Sequence, residues 1–306
     1  MTLLLTHPDA DLHETPPGHP EQVARLPAVR AALAEMDLLR ETPEEAPDEV
    51  LLRGHPQAYL DALEAAAPSE GWVQIDADTY MSPGSLRAAR LAVGAATRAV
   101  DAVMTGAAGN AFVAMRPPGH HAETAKSMGF CLFGTVALAA RHAMEVHGLT
   151  RVGILDFDVH HGNGTQDLLW DEARTLFVST HQSPLWPGTG AAEERGAHDN
   201  VINVPLPPGS DGAAFRAAIA PALDRLDAFA PELVLVSAGF DAHRDDPLAE
   251  LEWEVEDFAW ITERLCDLAD RHAGGRLVSC LEGGYDLDAL AASTAIHVDV
   301  LRRRKS

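Results

Sequence analysis

The segment Asp156-Phe-Asp-Val-His-His-Gly-Asn-Gly-Thr-Gln166 gathers carboxylates, imidazoles and amides directly behind an apolar run. Residues Arg151–Leu155 are rich in branched apolar side chains and lead to a Gly/Asn turn cluster, which reads as a buried strand and its exit. If the extension persists, Asp156, Asp158 and His160 share one face, while Phe157, Val159 and His161 take the other. Ionisable groups at a buried strand end cost free energy unless a metal or a counter-charge pairs them, so the pattern points to a cation site.

Four further runs end the same way. RPPGHH from Arg116, STHQSPLWPGTG from Ser179, SAGFDAHRDD from Ser237 and EGGYD from Glu282 each place glycine with ionisable or hydroxyl residues after a strand-like stretch. In an open parallel sheet the carboxyl ends of the strands line one edge, where ligands bind, so the five clusters are expected to meet. From that edge Asp158, His160 and Asp241 form a three-ligand set with positions left for water and substrate, which is catalytic in character. Zinc is the default ion; two carboxylates and one imidazole also suit iron(II) or another divalent ion.

The elements that must position these residues alternate strand-like and helix-like, which predicts an α/β fold with a mainly parallel sheet flanked by helices on both faces. Strands are expected at Thr2–Thr6, Ala111–Met115, Val152–Asp156, Thr175–Thr180, Val201–Val204, Leu233–Ser237 and Leu277–Leu281. A helix is expected to open at Ser82-Pro83, and others to cover Cys131–His147, Ala213–Phe229, Val255–His272 and Leu287–Leu301. Pro221 is expected to kink the third of these.

A chain of 306 residues without a composition break is expected to be one domain, 1–306. The net charge of −23 and the absence of a basic run argue against a nucleic-acid or anionic-membrane surface and favour a neutral or cationic ligand. Cys131, Cys266 and Cys280 are odd in number and widely spaced, which suits buried thiols in a reducing compartment. No stretch approaches the roughly 18 apolar residues of a membrane span, and the opening residues lack a basic flank and a cleavage site, so a soluble cytoplasmic protein is expected.

As a set, RPPGHHAE at Arg116–Glu123, GFC at Gly129–Cys131, DFDVHHGNGTQ at Asp156–Gln166, PGTG at Pro187–Gly190, SAGFDAH at Ser237–His243 and LEGGYD at Leu281–Asp286 resemble the zinc-dependent histone deacetylase family. HPE at His19–Glu21 resembles the family's N-terminal loop. The resemblance implies an arginase/deacetylase-like fold and a hydrolase that removes an acyl group from an N-acylated amine: acetyl-lysine, an acetylpolyamine or a small metabolite. It makes Asp158, His160 and Asp241 the zinc ligands. His121 becomes the general base that takes a proton from zinc-bound water and returns it to the leaving amine. His120, held by Asp156, becomes its electrostatic partner, and Tyr285 the hydrogen-bond donor to the oxyanion.

The same resemblance puts Gly129, Phe130 and Trp186 along a narrow tunnel for an aliphatic chain, with Gly283 and Gly284 beside it. It also implies a potassium ion near Asp156, Asp158, His160, Ser179 and Thr180. Two departures stand out. Asn163 replaces an aspartate found in many members, as in the class II branch, and Gly134-Thr135 replace a pair of asparagines. A neutral Asn163 stabilises an imidazolium less, so His121 is expected to titrate lower. Two other readings are possible. A two-metal ureohydrolase such as arginase or agmatinase would leave Tyr285 and the histidine pair without a task. A non-catalytic acyl-ligand binder is disfavoured because no catalytic position is lost.

Overall fold

The computed structural model describes residues 1–304; the last two, Lys305 among them, lie outside the described residues. Along the chain come β1 (Thr2–Leu5), α1 (Arg25–Ala32), β2 (Leu39–Glu41), α2 (Asp48–Leu51), α3 (Gln57–Ala66), β3 (Val73–Gln74), β4 (Tyr80–Met81), α4 (Ser85–Met104) and β5 (Asn110–Val113). Then follow α5 (Thr135–Val146), β6 (Val152–Asp156), α6 (Asn163–Leu169), β7 (Thr175–Gln182), β8 (Val201–Leu206), α7 (Gly212–Phe229), β9 (Leu233–Ala238), α8 (Val255–His272), β10 (Leu277–Leu281) and α9 (Leu287–Arg303).

Eight strands pair in parallel in the order β2-β1-β5-β10-β9-β6-β7-β8, while β3 and β4 form a separate antiparallel pair. Every residue of β5, β6, β9 and β10 is buried, which is why these strands read as continuous apolar runs rather than alternating ones. The helices that cover the sheet pack in two sets: α1, α9, α8 and α7 are successive neighbours, as are α4, α5 and α6. Beneath the edge formed by the strand ends, Phe157, Phe240 and Phe258 meet with ring centroids 5.3 to 6.0 Å apart. Removing one such ring would cost about 3–5 kcal/mol.

The expected strands are present, and β2 and the β3–β4 pair are additions too short to give a periodic signal. Two helix starts differ. The helix expected from Cys131 begins at Thr135, because Gly129 (φ 56°) and Phe130 (φ 69°) are left-handed and turn the chain before it can enter a helix. Likewise α4 starts at Ser85; the Ser82 hydroxyl instead donates to the Leu12 carbonyl and accepts from the Glu14 N–H, tying the turn to the N-terminal loop. Pro221 lies inside α7, which runs unbroken from Gly212 to Phe229.

Candidate metal centre and active site

The five chemistry-bearing clusters leave β5, β10, β9, β6 and β7, which are consecutive neighbours in the sheet. Asp156 lies in register with both Ser179 and Ser237, and Leu281 with Ala238, so residues more than a hundred positions apart reach one edge together. The way Asp158 and His160 get there differs from the strand alternation expected. β6 stops at Asp156, and two successive side-chain turns follow: the Asp158 N–H donates to Asp156 Oδ1 (3.1 Å) and the His160 N–H to Asp158 Oδ1 (2.9 Å). These turns aim Asp156 at His120 and send Asp158 and His160 toward Asp241.

His160 Nδ1 stands 3.1 Å from Asp158 Oδ1 and 3.2 Å from Asp241 Oδ2, and all three side chains are buried. The other carboxylate oxygens are tied to main chain: Gly283 N–H donates to Asp158 Oδ2 (2.8 Å) and Val159 N–H to Asp241 Oδ1 (2.9 Å). Burial opposes a charged imidazole, yet hydrogen bonds to Asp158 and Asp241 hold the His160 pKa up at about 10. The same field would hold a divalent cation in place of that proton, and one imidazole with two carboxylates fits zinc or iron(II). Space is tight around it. A Cβ on Gly239 would fall 2.1 Å from Asp158 Oδ2, and one on Gly283 would fall 2.2 Å from Asp241 Oδ2.

His120 and His121 lie ring against ring, 3.8 Å between centroids, in opposite electrostatic surroundings. His120 Nδ1 meets Asp156 Oδ2 at 2.9 Å; burial is overruled by the Asp158 and Asp156 carboxylates, which push its pKa well above the usual value. His121 is pushed well below, by burial first and then by His120 and His160. Its tautomer follows from its neighbours. Asn163 Nδ2 donates to Glu123 Oε1 (2.8 Å), so Asn163 Oδ1 is the acceptor that faces His121 Nδ1 at 2.8 Å. His121 Nδ1 therefore carries the hydrogen, and Nε2 keeps its lone pair.

A cavity of about 210 Å³ opens here, lined by His121, Gly129, Phe130, His160, Trp186 and Tyr285, together with Asp78, Leu185 and Leu248. Trp186 is 39 % exposed and sets its ring edge-on to His121 at 4.7 Å, so it serves as a wall of the mouth rather than as a core residue. Phe130 stands 5.9 Å from Tyr285 across the same space. Gly129 is required: a Cβ there would fall 2.4 Å from the His121 ring and 2.5 Å from the Trp186 ring. Burial, then the charge of Asp241, raises the Tyr285 pKa well above its usual value and keeps the phenol protonated as a donor.

Residues 19–301 match the family model of the histone deacetylase domain. The chain belongs to the histone deacetylase family. Among its relatives, the histone deacetylase-like amidohydrolase of Pseudomonas aeruginosa is 41% identical over 91% of this chain and 74% of its own length. A probable deacetylase of Archaeoglobus fulgidus is 35% identical, covering 97% of this chain and 85% of its own. The solved HDA15 HD domain superposes with a TM-score of 0.92 at 34% identity, covering 98% of this chain and 88% of that one. This member of the histone deacetylase family is thus a deacetylase-type hydrolase with the family's fold.

Several residues of this deacetylase-family site escaped the sequence reading because their partners are remote. Arg25, fully buried, donates to the main-chain carbonyls of Glu282 and Gly284 (2.6 Å each) and lies 4.9 Å over the Tyr285 ring. Glu21 pairs with Arg25, Arg116 and His13; burial opposes its charge, yet the Arg116 guanidinium first and the hydrogen bond with His13 next hold its carboxyl well below the usual range. Asp246 accepts from the main-chain N–H of Tyr285 (2.7 Å) and of Leu248 (3.0 Å). Glu21, Arg116, Glu282 and Asp246 do sit inside the quoted motifs, which is the available signal; Arg25 and Asp78 have none.

A second His/Asp group, Asp101 with His142 and His147, joins α4 to the end of α5. Both Nε2 atoms lie 2.7 Å from the single oxygen Asp101 Oδ1, and Arg53 donates to His142 Nδ1 at 2.7 Å. An imidazole that accepts from arginine carries its own hydrogen on Nε2, so this group is a hydrogen-bonded tie between helices.

Proposed function

We propose that the protein hydrolyses the amide of an N-acylated amine borne on a flexible aliphatic chain, with zinc held by Asp158, His160 and Asp241. One observation carries the reading: the unprotonated Nε2 of a neutral His121 and the phenol of Tyr285 belong to residues lining the one cavity that His160 also lines. When bound, the ion polarises the amide carbonyl and lowers the pKa of a water toward about 7. His121 takes the proton of the attacking water at Nε2 and passes it to the leaving amine, a task suited to an imidazole that rests neutral. Charged His120, anchored by Asp156, stabilises the negative charge that builds beside it. Tyr285 donates to the carbonyl oxygen as that oxygen becomes an oxyanion.

Phe130, Trp186 and Gly129 would flank the methylene stem and exclude water from it, with Gly283 and Gly284 closing the space near the ion. A potassium ion near the ends of β6 and β7, among oxygens of Asp156, Asp158, His160, Ser179 and Thr180, belongs to the same reading. So does a cytoplasmic setting, supported by three unpaired buried cysteines and by the absence of a membrane-crossing helix among the described residues. The charge of −23 suits both an acetylpolyamine, which keeps a free ammonium, and a lysine-bearing peptide, and does not choose between them.

The test is a panel of acetyl-lysine peptide, acetylputrescine and acetylspermidine with the zinc-loaded protein, together with elemental analysis. One zinc per chain and released amine are expected. Two divalent metals per chain with urea release from a guanidino substrate would make it a ureohydrolase, and tight acyl-ligand binding without product over hours would make it a binding protein.

A further inference from the structure

Glu282 opens the cluster that follows β10, one residue before the glycine that holds Asp158, and the hydrolysis outlined above gives its side chain no task. That side chain is 1 % exposed. Its Oε2 accepts the main-chain N–H of Gly119 at 2.6 Å and of His120 at 3.2 Å, while Oε1 has no hydrogen-bond partner. The nearby guanidiniums, Arg25 and Arg116, are paired with Glu21 instead. A buried carboxylate with no cation in hydrogen-bond contact is expensive to keep, and burial, opposed by the charge of His120, pushes this one's pKa up to about 7.

What the carboxylate holds accounts for that cost. The His120 peptide is gripped from both sides: its carbonyl accepts from Gly164 (2.9 Å) and Thr165 (3.1 Å) at the start of α6, and its N–H rests on Glu282. An apolar side chain at position 282 would leave two buried N–H groups without an acceptor, which costs free energy. The turn would then relieve them by rotating away, carrying both imidazoles with it. Meanwhile the Glu282 main chain is fixed by Ala238 and Arg25, and the next N–H, of Gly283, fixes Asp158. One strand end therefore sets the histidine turn and a carboxylate of the cation site in a common frame.

We propose that Glu282 is a positioning residue whose carboxylate fixes the tandem-histidine turn relative to the cation site, an assignment that rests on the hydrolase reading. Glu282→Ala in the zinc-loaded protein should lower kcat about 30- to 100-fold, the scale of an ångström-sized misplacement, with KM changed less than about threefold and zinc content unchanged. Glu282→Gln keeps an acceptor oxygen for both N–H groups and should stay within about fivefold of the parent kcat. Amide hydrogen exchange over residues 117–122 should quicken in the Ala variant and not in the Gln variant.

Parent-like kcat in the Ala variant, equal damage in Gln and Ala, or zinc lost in step with activity would each overturn the assignment. If the parent protein hydrolyses no acyl-amine, the hydrolase reading fails by itself, and exchange still decides the positioning: unchanged exchange in the Ala variant refutes it. Should the Ala variant not fold, Glu282→Asp withdraws the acceptor by one methylene and should lose kcat similarly; parent-like kcat there refutes it as well.

Discussion

Replacing Gly283 with alanine adds one carbon at the most crowded point of the cation site. That Cβ would lie 2.2 Å from Asp241 Oδ2 and 2.6 Å from Asp158 Oδ2, where even a tight contact is no closer than 3.0 Å. The backbone conformation at Gly283 is not left-handed, so alanine brings no φ strain and the whole effect falls on the two carboxylates. The Asp241 oxygen must move by about 0.8 Å and the Asp158 oxygen by about 0.4 Å to reach that limit, and both carboxylates are tethered by main-chain N–H groups, one of them Gly283's own. Loss of an outer-shell partner typically weakens a metal site 10- to 100-fold; displacing two ligands should exceed that, so affinity should fall at least about a hundredfold, roughly 3 kcal/mol. Zinc affinity by chelator competition, with thermal unfolding of the metal-free protein as control, measures it. Parent-like affinity in a folded Gly283→Ala protein would refute the placement of the ion between Asp158, His160 and Asp241.

Tyr285→Phe keeps the ring and its contact with Arg25 and should cut turnover about a hundredfold or more, with zinc content and thermal stability little changed; loss of stability instead of turnover would reassign Tyr285 to packing. His121→Ala should lower kcat by more than about a hundredfold while KM stays near the parent's, and the opposite split would make His121 a binding residue. His297 is buried against Thr262 and Ser279, and burial drives its pKa down to about 3. Being neutral when folded, it contributes stability that is complete above about pH 6.5 and lost as pH falls toward 3, because only the unfolded chain takes up the proton. His297→Gln should therefore reduce the slope of unfolding free energy between pH 6 and 4, measured by urea melts, by up to about 1.4 kcal/mol per pH unit; an unchanged slope would show that His297 does not bear that proton linkage.

Much of the site could be read from the chain because its strands are buried on both faces. Uninterrupted apolar runs in β5, β6, β9 and β10 mark themselves, and the polar cluster behind each falls on the shared edge. What stayed hidden depends on long-range contact. Nothing local to Arg25 shows that it grips Glu282 and Gly284 more than two hundred and fifty residues away. The sequence pattern puts the start of α5 too early because apolar residues such as Leu132 and Phe133 continue it backward into a loop that Phe130 bends the other way. Asp158 and His160 were matched with Asp241 from strand alternation, whereas side-chain turns after Asp156 supply the geometry; either route sends them to the same edge.

The place of β10 in the sheet bears on how the molecule is made. It is the last strand along the described chain, yet it fills a central slot between β5 and β9, both of which precede it. A ribosome delivers the N-terminal parts first. Until residues 277–281 emerge, β5 and β9 each lack one partner, and their open backbone edges are the kind that recruit foreign strands. Gly283, Tyr285 and Glu282 arrive with that same late segment. The nascent protein therefore lacks the Tyr285 phenol and the Gly283 N–H that holds Asp158 until that segment has emerged, and a product stopped before Leu277 would keep both strand edges open.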